Sequence, residues 1–504
     1  MALSAEQPFP PGAYPVVVVG TGPGGLQLSY HLTRIGVRHA LISEDDGPGG
    51  MFRRFPLFHR LNTSSRRFAV VPRDSDAFYR FDWNSLFAER PDERALVPEF
   101  MDGEHYFPRR SEMAQALETF ALRAGVEARY GCRWESTNRA DDGFVLVTSD
   151  GEYRCTFAVF AVGMADPWRP PTPGLELVPH YDDLRGRTAD SFADQRIFIV
   201  GKRNSAFELA DALLPWAAQL ILGSPHHVRP SIITGVPTPP RARYLEVLED
   251  HCFGGGSFVV DCAIERVERC GEGWRVHTQG TVTPGEMVFE VDEVIATTGF
   301  GTPLGDLRTL GVDTFYKDRL PTQTAYWEST SVPGIFFAGA ATQGQAGMRK
   351  YGFPTGSASV AGFRYNAGVQ AVEIGRRLGI EPSRPRISED ELITYLLGQA
   401  TLEGALWRQQ AHLARIVTLD ASDGIRDEGI LPLAPFLDSS GPPAIAITVE
   451  TDTEDTIRPA AYIRRDGRVT ENLLPPGFMH DFRTSEHRAA LEGLLKGLVR
   501  ERVS

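Results

Sequence analysis

Two glycine-rich turns in this sequence could bind phosphate groups. The first, GTGPGG, follows the apolar run Val16–Val19 and precedes a helical pattern. In such a turn Gly20 permits the sharp bend from strand to helix, Gly22 lets the backbone approach a diphosphate, and Gly25 allows close packing of the helix on the strand. The unpaired N–H groups at the start of the helix attract phosphate. Glu44, after the next apolar run, is placed to accept a hydrogen bond from a ribose hydroxyl. The sequence therefore predicts a dinucleotide site with these contacts: Gly20, Gly22, Pro23, Gly24, Gly25 and Glu44.

The same order of strand, turn and helix recurs near the middle of the chain. The apolar run Ile197–Val200 leads into GKRNSA, and a helical pattern follows. Arg203 and Ala206 stand where the motif has its second and third glycines, so we expect the Arg203 side chain to point away from the diphosphate. We predict a second nucleotide site with these contacts: Gly201, Lys202, Asn204, Ser205 and Ala206.

Three further apolar runs end in glycine, which is typical of buried strands of a parallel sheet. They end at Gly163, Gly299 and Gly339, and the last is followed by a helical pattern over Gly356–Gly368. The first two runs stand where the chain would pass between two nucleotide-binding domains. Between the first two motifs, residues 131–162 predict a β-meander with Asp-Gly turns.

The region after Pro382 has a different pattern. Its expected elements are a helix over 388–414, strands over 444–450 and 459–463, and a final helix over 485–499. No motif in this region indicates chemistry. It could cover the active site or form a homodimer contact.

Composition narrows the classes of partner. The chain has 504 residues and a net charge of -13, which allows two or three domains and disfavours nucleic acid and anionic membranes as partners. No run reaches the roughly 18 to 20 apolar residues that span a bilayer. The first residues lack the features of a signal peptide, so we expect a cytoplasmic protein. We predict no metal site.

The five cysteines bear on the redox chemistry. No two of them have the Cys-x-x-Cys spacing, which exchange between a dithiol and a redox cofactor usually needs. We therefore expect reduced cysteines without a catalytic role.

The two turns and the glycines after the three apolar runs together resemble the flavoproteins with two dinucleotide-binding domains. That superfamily includes flavin-containing monooxygenases, Baeyer–Villiger monooxygenases, N-hydroxylases and pyridine nucleotide–disulfide reductases. The resemblance implies FAD at the first turn and NAD(P)H at the second. It also implies an α/β fold with two Rossmann-like dinucleotide-binding domains, the FAD domain being interrupted by the NAD(P)H domain, and a C-terminal α+β appendix. The expected boundaries are 14–165 for the first part of the FAD domain, 166–300 for the NAD(P)H domain, 301–382 for the second part of the FAD domain, and 383–504 for the appendix.

Several stretches resemble one branch of that superfamily, the FAD-dependent oxidoreductase domain-containing proteins. The stretches are Arg54–Phe68, Phe81–Phe87, His105–Leu117, Gly201–Asp211 and Arg349–Asn366. The resemblance implies further cofactor contacts from Gly50, Met51, Phe52, Gly299, Gly339, Ala340 and Gly356. Most relatives place an Asp where this chain has Ala340, so one expected hydrogen bond to the flavin is missing.

Asn62 and Arg66 are the catalytic candidates. Asn62-Thr63-Ser64 resembles the Asn-Thr-Ser-Lys stretch of flavin-containing monooxygenases, in which the Asn amide lies near the flavin. Here Ser65 replaces the Lys and Arg66 follows it. The alternative is a polar turn capped by its own side chains.

His180 could correspond to the histidine of the monooxygenase fingerprint. The Phe and Gly of that fingerprint do not stand at the right spacing before it. A surface histidine is therefore the favoured interpretation.

The resemblance implies a monooxygenase. In such enzymes NAD(P)H reduces the flavin, O₂ forms a C4a-peroxide, and one oxygen atom enters a small organic substrate. The alternatives are a reductase or dehydrogenase that inserts no oxygen, and a flavin-bound sensor or scaffold without turnover. NADPH is favoured over NADH, because Lys202, Arg203 and Arg229 could meet a 2′-phosphate while Gly223–Arg229 contains no acid.

Overall fold

The computed structural model describes residues 7–55, 60–228, 245–344, 350, 355–420 and 424–496. Within these ranges the α-helices are α1 Pro23–Arg34, α2 Arg110–Arg123, α3 Asn204–Leu213, α4 Leu245–Phe253, α5 Val360–Arg377, α6 Glu389–Leu402, α7 Gly404–Arg408, α8 Leu433–Asp438 and α9 Ser485–Leu495. The strands are β1 Gly12–Ala13, β2 Val16–Val19, β3 His39–Ile42, β4 Trp134–Ala140, β5 Gly143–Thr148, β6 Gly151–Cys155, β7 Phe157–Phe160, β8 Asp166–Pro167, β9 Arg196–Val200, β10 Gln219–Ser224, β11 Ser257–Cys270, β12 Gly273–Gly280, β13 Glu286–Val291, β14 Glu293–Ala296, β15 Phe300–Gly301, β16 Thr314–Phe315, β17 Leu320–Pro321, β18 Ile335–Phe337, β19 Leu413–Asp420, β20 Gly424–Pro432, β21 Ala444–Thr451, β22 Ile457–Arg465 and β23 Arg468–Leu473.

The first glycine-rich turn lies at one end of a four-stranded parallel sheet with the order β18-β7-β2-β3. All four residues of β2 are buried, as expected for a parallel sheet covered on both faces. Helices α1, α2 and α5 cover one face and the strands of the meander cover the other. Since β7 and β18 come from distant parts of the sequence, the chain leaves this domain and returns to it.

The second glycine-rich turn belongs to a six-stranded sheet with the order β13-β12-β11-β10-β9-β14. Its strands β11, β10, β9 and β14 run parallel, and β12 and β13 add an antiparallel edge. This sheet lies between β7 and β18 in the sequence, so the predicted interruption of one nucleotide-binding domain by the other is confirmed.

The predicted meander forms as the antiparallel strands β4, β5 and β6. The closing helix differs from its prediction, because it begins at Val360 rather than Gly356. Residues Gly356–Ala358 form a separate 3-10 turn, and the extended backbone of Ser359 precedes the helix.

The C-terminal region is an antiparallel sheet with the order β20-β19-β21-β22-β23. Helices α6 and α9 pack on one face and α8 packs on the other. The single helix expected over 388–414 is wrong. It divides into α6 and α7, and the chain then enters β19 at Leu413, because the run LARIVTL is buried in the sheet rather than on a helix.

No helix in the described ranges combines the length and the apolar character that crossing a bilayer requires. In the same ranges, His, Cys, Asp and Glu side chains do not gather in groups of three that could hold a metal ion.

Candidate functional site

A cavity of about 980 Å³ extends from the first glycine-rich turn to the second. The predicted site residues on its wall are Gly20, Gly22, Pro23, Gly24, Glu44, Gly50, Met51, Phe52, Asn62, Asn204, Ser205, Gly339 and Ala340. The cavity therefore adjoins residues from both nucleotide-binding sheets.

The first turn is shaped by close backbone contacts. A Cβ atom at Gly20 would lie 2.6 Å from the Ala161 carbonyl oxygen, and one at Gly25 would lie 1.9 Å from the Gly20 carbonyl oxygen. A Cβ atom at Gly22 would meet nothing within 4 Å. Only at Gly22 does the missing side chain leave open space, on the side where a diphosphate would approach.

Thr21 gives independent support for a polar ligand at this turn. Its hydroxyl is buried and has no hydrogen-bond partner among the described residues. Because buried hydroxyls are almost always paired, a phosphate oxygen in the cavity would complete this site. The residues of the first turn thus fit the diphosphate of a dinucleotide.

Glu44 lines the cavity at the end of β3, beside Asp45. The segment after it returns to the turn, since the Gly49 amide donates to the Thr21 carbonyl at 2.9 Å. A Cβ atom at Gly50 would lie 2.9 Å from Gly22 Cα. The Gly50–Arg53 3-10 turn therefore closes over the first turn.

A second wall of the cavity is formed around the start of α5. Ala358, Ser359 and Val360 line the cavity together with Gly339 and Ala340. The positive end of this helix faces the cavity and favours negative charge there. Gly356 is not on the wall. It packs against the C-terminal region, where a Cβ atom would lie 2.1 Å from the Arg408 carbonyl oxygen.

The second turn presents Asn204 and Ser205, the first residues of α3, to the cavity. Gly201 has a positive φ of 139°, and a Cβ atom on it would lie 2.5 Å from Thr297 Oγ1. The Arg203 guanidinium donates to the Tyr316 hydroxyl at 3.1 Å. Its side chain thus contacts Tyr316 and does not line the cavity.

The cations expected to meet a 2′-phosphate lie in different places. Lys202 is buried, donates to the Val260 carbonyl at 2.9 Å and forms an ion pair with Asp261. Arg203 contacts Tyr316, as above. Arg229 lies outside the described residues.

An acid stands at the end of β10, although the sequence after that strand contains none. Asp261 of β11 is opposite Ser224, the last residue of β10, and its carboxylate lies 2.5 Å from His227 Nδ1. Burial alone would raise the pKa of Asp261, but Lys202 and His227 together hold it below its ordinary value. The sequence after β10 did not reveal this acid, because the neighbouring strand β11 supplies it.

Asn62 and Thr63 line the cavity, and the segment after them is fixed by buried polar contacts. Thr63 donates to Asn84 Oδ1 at 2.6 Å, Asn84 Nδ2 donates to Ser65 Oγ at 2.9 Å, and Ser65 donates to Asp82 at 2.7 Å. Side-chain contacts thus hold this segment, as the polar-turn alternative expected, while Asn62 faces the cavity.

Arg66 is exposed and does not line the cavity. Its guanidinium carbon lies 5.8 Å from the centre of the Tyr106 ring. Of the two catalytic candidates, the structure places Asn62 at the cavity and Arg66 outside it.

The interpretation of His180 as a surface residue is wrong. His180 is fully buried, 5.1 Å from the Phe300 ring centre, and burial lowers its pKa to about 4. The sequence did not reveal this burial, because the His180 backbone pairs with Ala296 of β14, a contact that no local pattern shows.

Sequence analysis also missed two cavity residues that contact each other. The Tyr181 hydroxyl donates to Glu208 Oε1 at 2.5 Å, and both residues line the cavity. Glu208 follows Asn204 by one helical turn on α3. Since residues at i and i+4 share a helix face, the helical periodicity could have identified it.

None of the described residues that line the cavity is a cysteine. Cys132, Cys155 and Cys262 are buried and unbridged, and burial raises the pKa of Cys155 to about 12. A buried thiol with a raised pKa is a poor nucleophile.

Comparison with known proteins places this site in a family. Residues 17–339 match the family described as pyridine nucleotide-disulphide oxidoreductase. The chain is similar to the FAD-dependent oxidoreductase domain-containing protein 2 of Danio rerio, with 32% identity over 223 residues. This match covers 42% of the chain and 31% of the relative, so it spans about a third of that protein's length.

Two solved structures share the fold. The bacillithiol disulfide reductase of Staphylococcus aureus has a TM-score of 0.55 at 15% identity, with 72% of this chain and 99% of that one covered. A flavin-containing monooxygenase from Stenotrophomonas maltophilia has a TM-score of 0.53 at 18% identity, with 73% and 99% covered. The names of these two proteins indicate different reactions, so the shared fold does not distinguish between the reactions.

The family match extends from β2 to the glycine after β18 and so includes both glycine-rich turns and most of the cavity wall. The chain belongs to the pyridine nucleotide-disulphide oxidoreductase family.

Proposed function

We propose that this protein is an FAD-dependent, NAD(P)H-using monooxygenase that inserts one oxygen atom into a small organic substrate. The observation that carries the proposal is the composition of the cavity. Both nucleotide-binding turns open into it, the Asn62 amide is on its wall, and none of its described lining residues is a thiol. A disulfide reductase would need a thiol pair at this place.

Each region of the cavity has a role in this proposal. The first turn and Glu44 bind the diphosphate and ribose of FAD, and the α5 end with Gly339 and Ala340 borders the flavin ring. The positive end of α5 stabilises negative charge on the reduced ring. FAD supplies the redox chemistry: it accepts a hydride from NAD(P)H and, once reduced, reacts with O₂.

The second turn and the nearby acid position the nicotinamide cofactor. Asn204 and Ser205 present the start of α3 to its diphosphate. Glu208, held by the Tyr181 hydroxyl at 2.5 Å, supplies a carboxylate on the same wall. We propose that NADPH and NADH are distinguished near Asp261, where the ribose end of the cofactor would lie beyond β10.

Asn62 is the proposed catalytic residue. With FAD bound, its amide would lie at the cavity wall, where it could donate a hydrogen bond to the reacting oxygen and exclude water. This role predicts that Asn62→Ala lowers the fraction of NAD(P)H oxidation that yields product and raises the fraction that yields hydrogen peroxide. Asn84→Ser tests the support of this segment and not Asn62 itself, since the Asn84 amide donates to the neighbouring Thr63 and Ser65.

The second candidate function is an NAD(P)H-dependent reductase or dehydrogenase that transfers electrons to an organic acceptor. The placement of Arg66 favours it. In the monooxygenase pattern a Lys follows Asn-Thr-Ser. Here a buried Ser65 stands at that position, and Arg66, the cation that follows it, is exposed beside Tyr106.

An isotope experiment separates the two functions. The FAD-loaded protein would be supplied with NADPH and ¹⁸O₂ in the presence of a panel of amines, sulfides and ketones, and hydrogen peroxide would be measured alongside. Incorporation of one ¹⁸O atom per NADPH into a product supports the monooxygenase, and Asn62→Ala should shift the yield towards peroxide. Unlabelled products, together with anaerobic turnover of an organic acceptor, would instead establish the reductase.

A further inference from the structure

A buried glutamine connects the C-terminal region to the flavin side of the cavity. Gln409 lies just after α7, before β19, and is fully buried. Its amide nitrogen donates to Ser357 Oγ at 2.9 Å and to Asn366 Oδ1 at 2.5 Å. Its amide oxygen accepts the backbone N–H of Gly356 at 2.9 Å. Three hydrogen bonds thus cross from one side chain of the C-terminal region to the 3-10 turn before α5 and to α5 itself.

The same network continues to the cavity wall. Asn366 Nδ2 donates to Ser357 Oγ at 2.9 Å and to Thr342 Oγ1 at 3.1 Å. Thr342 then donates to the Gly339 carbonyl at 2.6 Å. Gly339 lines the cavity, and its backbone is so close to α1 that a Cβ atom on Gly24 would lie 2.3 Å from Gly339 Cα.

The backbone at the centre of this network has little freedom to move. A Cβ atom at Gly356 would lie 2.1 Å from the Arg408 carbonyl oxygen, and one at Gly362 would lie 2.2 Å from the Gly356 carbonyl oxygen. The turn Gly356–Ala358 is therefore held between the end of α7 and the first turn of α5. Ala358 and the two residues after it line the cavity.

These contacts place one side chain behind two segments that contribute residues to the cavity wall, Gly339–Gly344 and Gly356–Val360. We propose that Gln409 is a positioning residue for the flavin site and that the C-terminal region is an integral part of that site. Gln409 would act through Ser357, Asn366 and Thr342, because it does not line the cavity itself. The inference rests on flavin binding, which the proposed function shares, and it does not depend on oxygen insertion.

The physical reason is the cost of leaving buried polar groups unpaired. A hydrophobic side chain at position 409 would leave the Gly356 N–H and the Asn366 amide oxygen without these partners in a buried region. The turns would then rearrange to recover hydrogen bonds. Their rearrangement would move the atoms that contact the flavin ring.

The test compares Gln409→Leu with Thr401→Val in the full-length protein. Thr401 is an internal control, because it is buried in the same region and its hydroxyl, among the described residues, hydrogen-bonds only to the Leu397 carbonyl and the Phe482 N–H. The FAD dissociation constant would be measured by titrating apoprotein with FAD. Hydrogen exchange of the Gly339–Gly344 amides would be measured in the apoprotein without any flavin.

We expect Gln409→Leu to raise the dissociation constant about tenfold or more, by the loss of a buried hydrogen-bonded connection. We also expect faster exchange at Gly339–Gly344 and a shift of the flavin midpoint potential. Thr401→Val should change none of these. The proposal would be overturned if Gln409→Leu lowered the stability to heat but left the FAD affinity, the amide exchange at Gly339–Gly344 and the flavin midpoint potential unchanged. Gln409 would then have a structural role only.

A second variant keeps the test decisive if Gln409→Leu does not fold. Thr342→Val leaves all three hydrogen bonds of Gln409 in place and removes the hydroxyl that connects Asn366 and the Ser357 carbonyl to the Gly339 carbonyl. It should reproduce the faster exchange at Gly339–Gly344 and the weaker FAD binding. Unchanged exchange and affinity in Thr342→Val would refute the network. Since neither measurement needs oxygen or substrate, failure of the monooxygenase proposal would not produce either result.

Discussion

Two neighbouring glycines of the first turn lack side chains for different reasons. At Gly24 a Cβ atom would lie 2.3 Å from Gly339 Cα, a distance that real Cβ atoms essentially never show, whereas at Gly22 it would project into open space. The fold thus requires a glycine at position 24, whereas at position 22 the open space is where we propose that the diphosphate binds.

This difference predicts opposite effects of two alanine substitutions. Gly24→Ala should destabilise the protein by about 1 to 3 kcal/mol, as overpacking does, and should abolish FAD binding. Gly22→Ala should leave the stability of the apoprotein unchanged and weaken FAD binding about tenfold or more, because its methyl group occupies space near the diphosphate. Thermal unfolding of the apoprotein and FAD titration measure the two effects. Equal losses of stability in both variants would contradict this explanation.

Asp261 allows a prediction about the choice of nicotinamide cofactor. Its carboxylate would repel a 2′-phosphate at the end of β10. We expect Asp261→Asn to raise the ratio of kcat/KM for NADPH to that for NADH about tenfold, which corresponds to about 1.4 kcal/mol. Asp292→Asn is the matched control, because it removes an equal charge beside Arg196 at the other end of β9. An unchanged ratio in Asp261→Asn would place the ribose elsewhere.

Sequence reasoning was effective at the residue scale where the motif is contiguous. The cavity-lining positions of the first turn and of Glu44 could be predicted from spacing alone, because strand, turn and helix are consecutive; their ligand contacts stay predictions. Asp261, and the burial of His180, depend on pairing with strands that are distant in the sequence. Such contacts can be read only from the folded chain.

At the scale of elements, the junction between α5 and the C-terminal sheet is the least expected feature. Trp327, Val369, Ala405 and Leu413 form a buried cluster at this junction. The sequence did not predict it, because the helix expected over 388–414 obscured the start of β19. A run such as LARIVTL suits a buried helix and a buried strand equally well when periodicity is the only guide.

His412 makes this junction sensitive to acid. It is buried, 6.0 Å from the Trp327 ring centre, and burial lowers its pKa from the ordinary value of about 6.5 to about 4. Because the folded pKa lies below the unfolded one, the unfolded state binds the proton more tightly. Stability is therefore unaffected above about pH 6.5 and is lost as the pH falls from there towards 4, by up to about 3 kcal/mol.

The prediction is that His412→Phe flattens the pH dependence of unfolding. Denaturant titrations at pH 7.5 and 4.5 measure the difference in the free energy of unfolding. The wild-type protein should lose more stability than the variant between pH 7.5 and pH 4.5, because only the wild type has His412. His180, whose pKa is also lowered by burial, contributes equally to the wild type and the variant. Equal losses in the free energy of unfolding of the wild type and the variant would mean that His412 is protonated in the folded protein.

At the scale of the whole molecule, the main result is that two nucleotide-binding sheets share one cavity. The sequence indicated both turns and the interruption of one domain by the other, because these follow from the order of the motifs. It could not indicate that Asn62, Glu208 and the start of α5 line the same cavity, since these come from three separate parts of the chain. It allowed that the C-terminal region covers the active site, but it did not indicate that Gln409 contacts Gly356, Ser357 and Asn366.

We propose that a nicotinamide cofactor held at the second turn reduces a flavin held at the first. The most direct measurement is anaerobic stopped-flow mixing of the FAD-loaded protein with NADPH and, separately, with NADH, while the flavin absorbance is recorded. The account predicts full bleaching of the bound flavin by at least one of the two, at a rate that saturates with cofactor concentration. Flavin that is bound stoichiometrically but stays oxidised with both cofactors would contradict it.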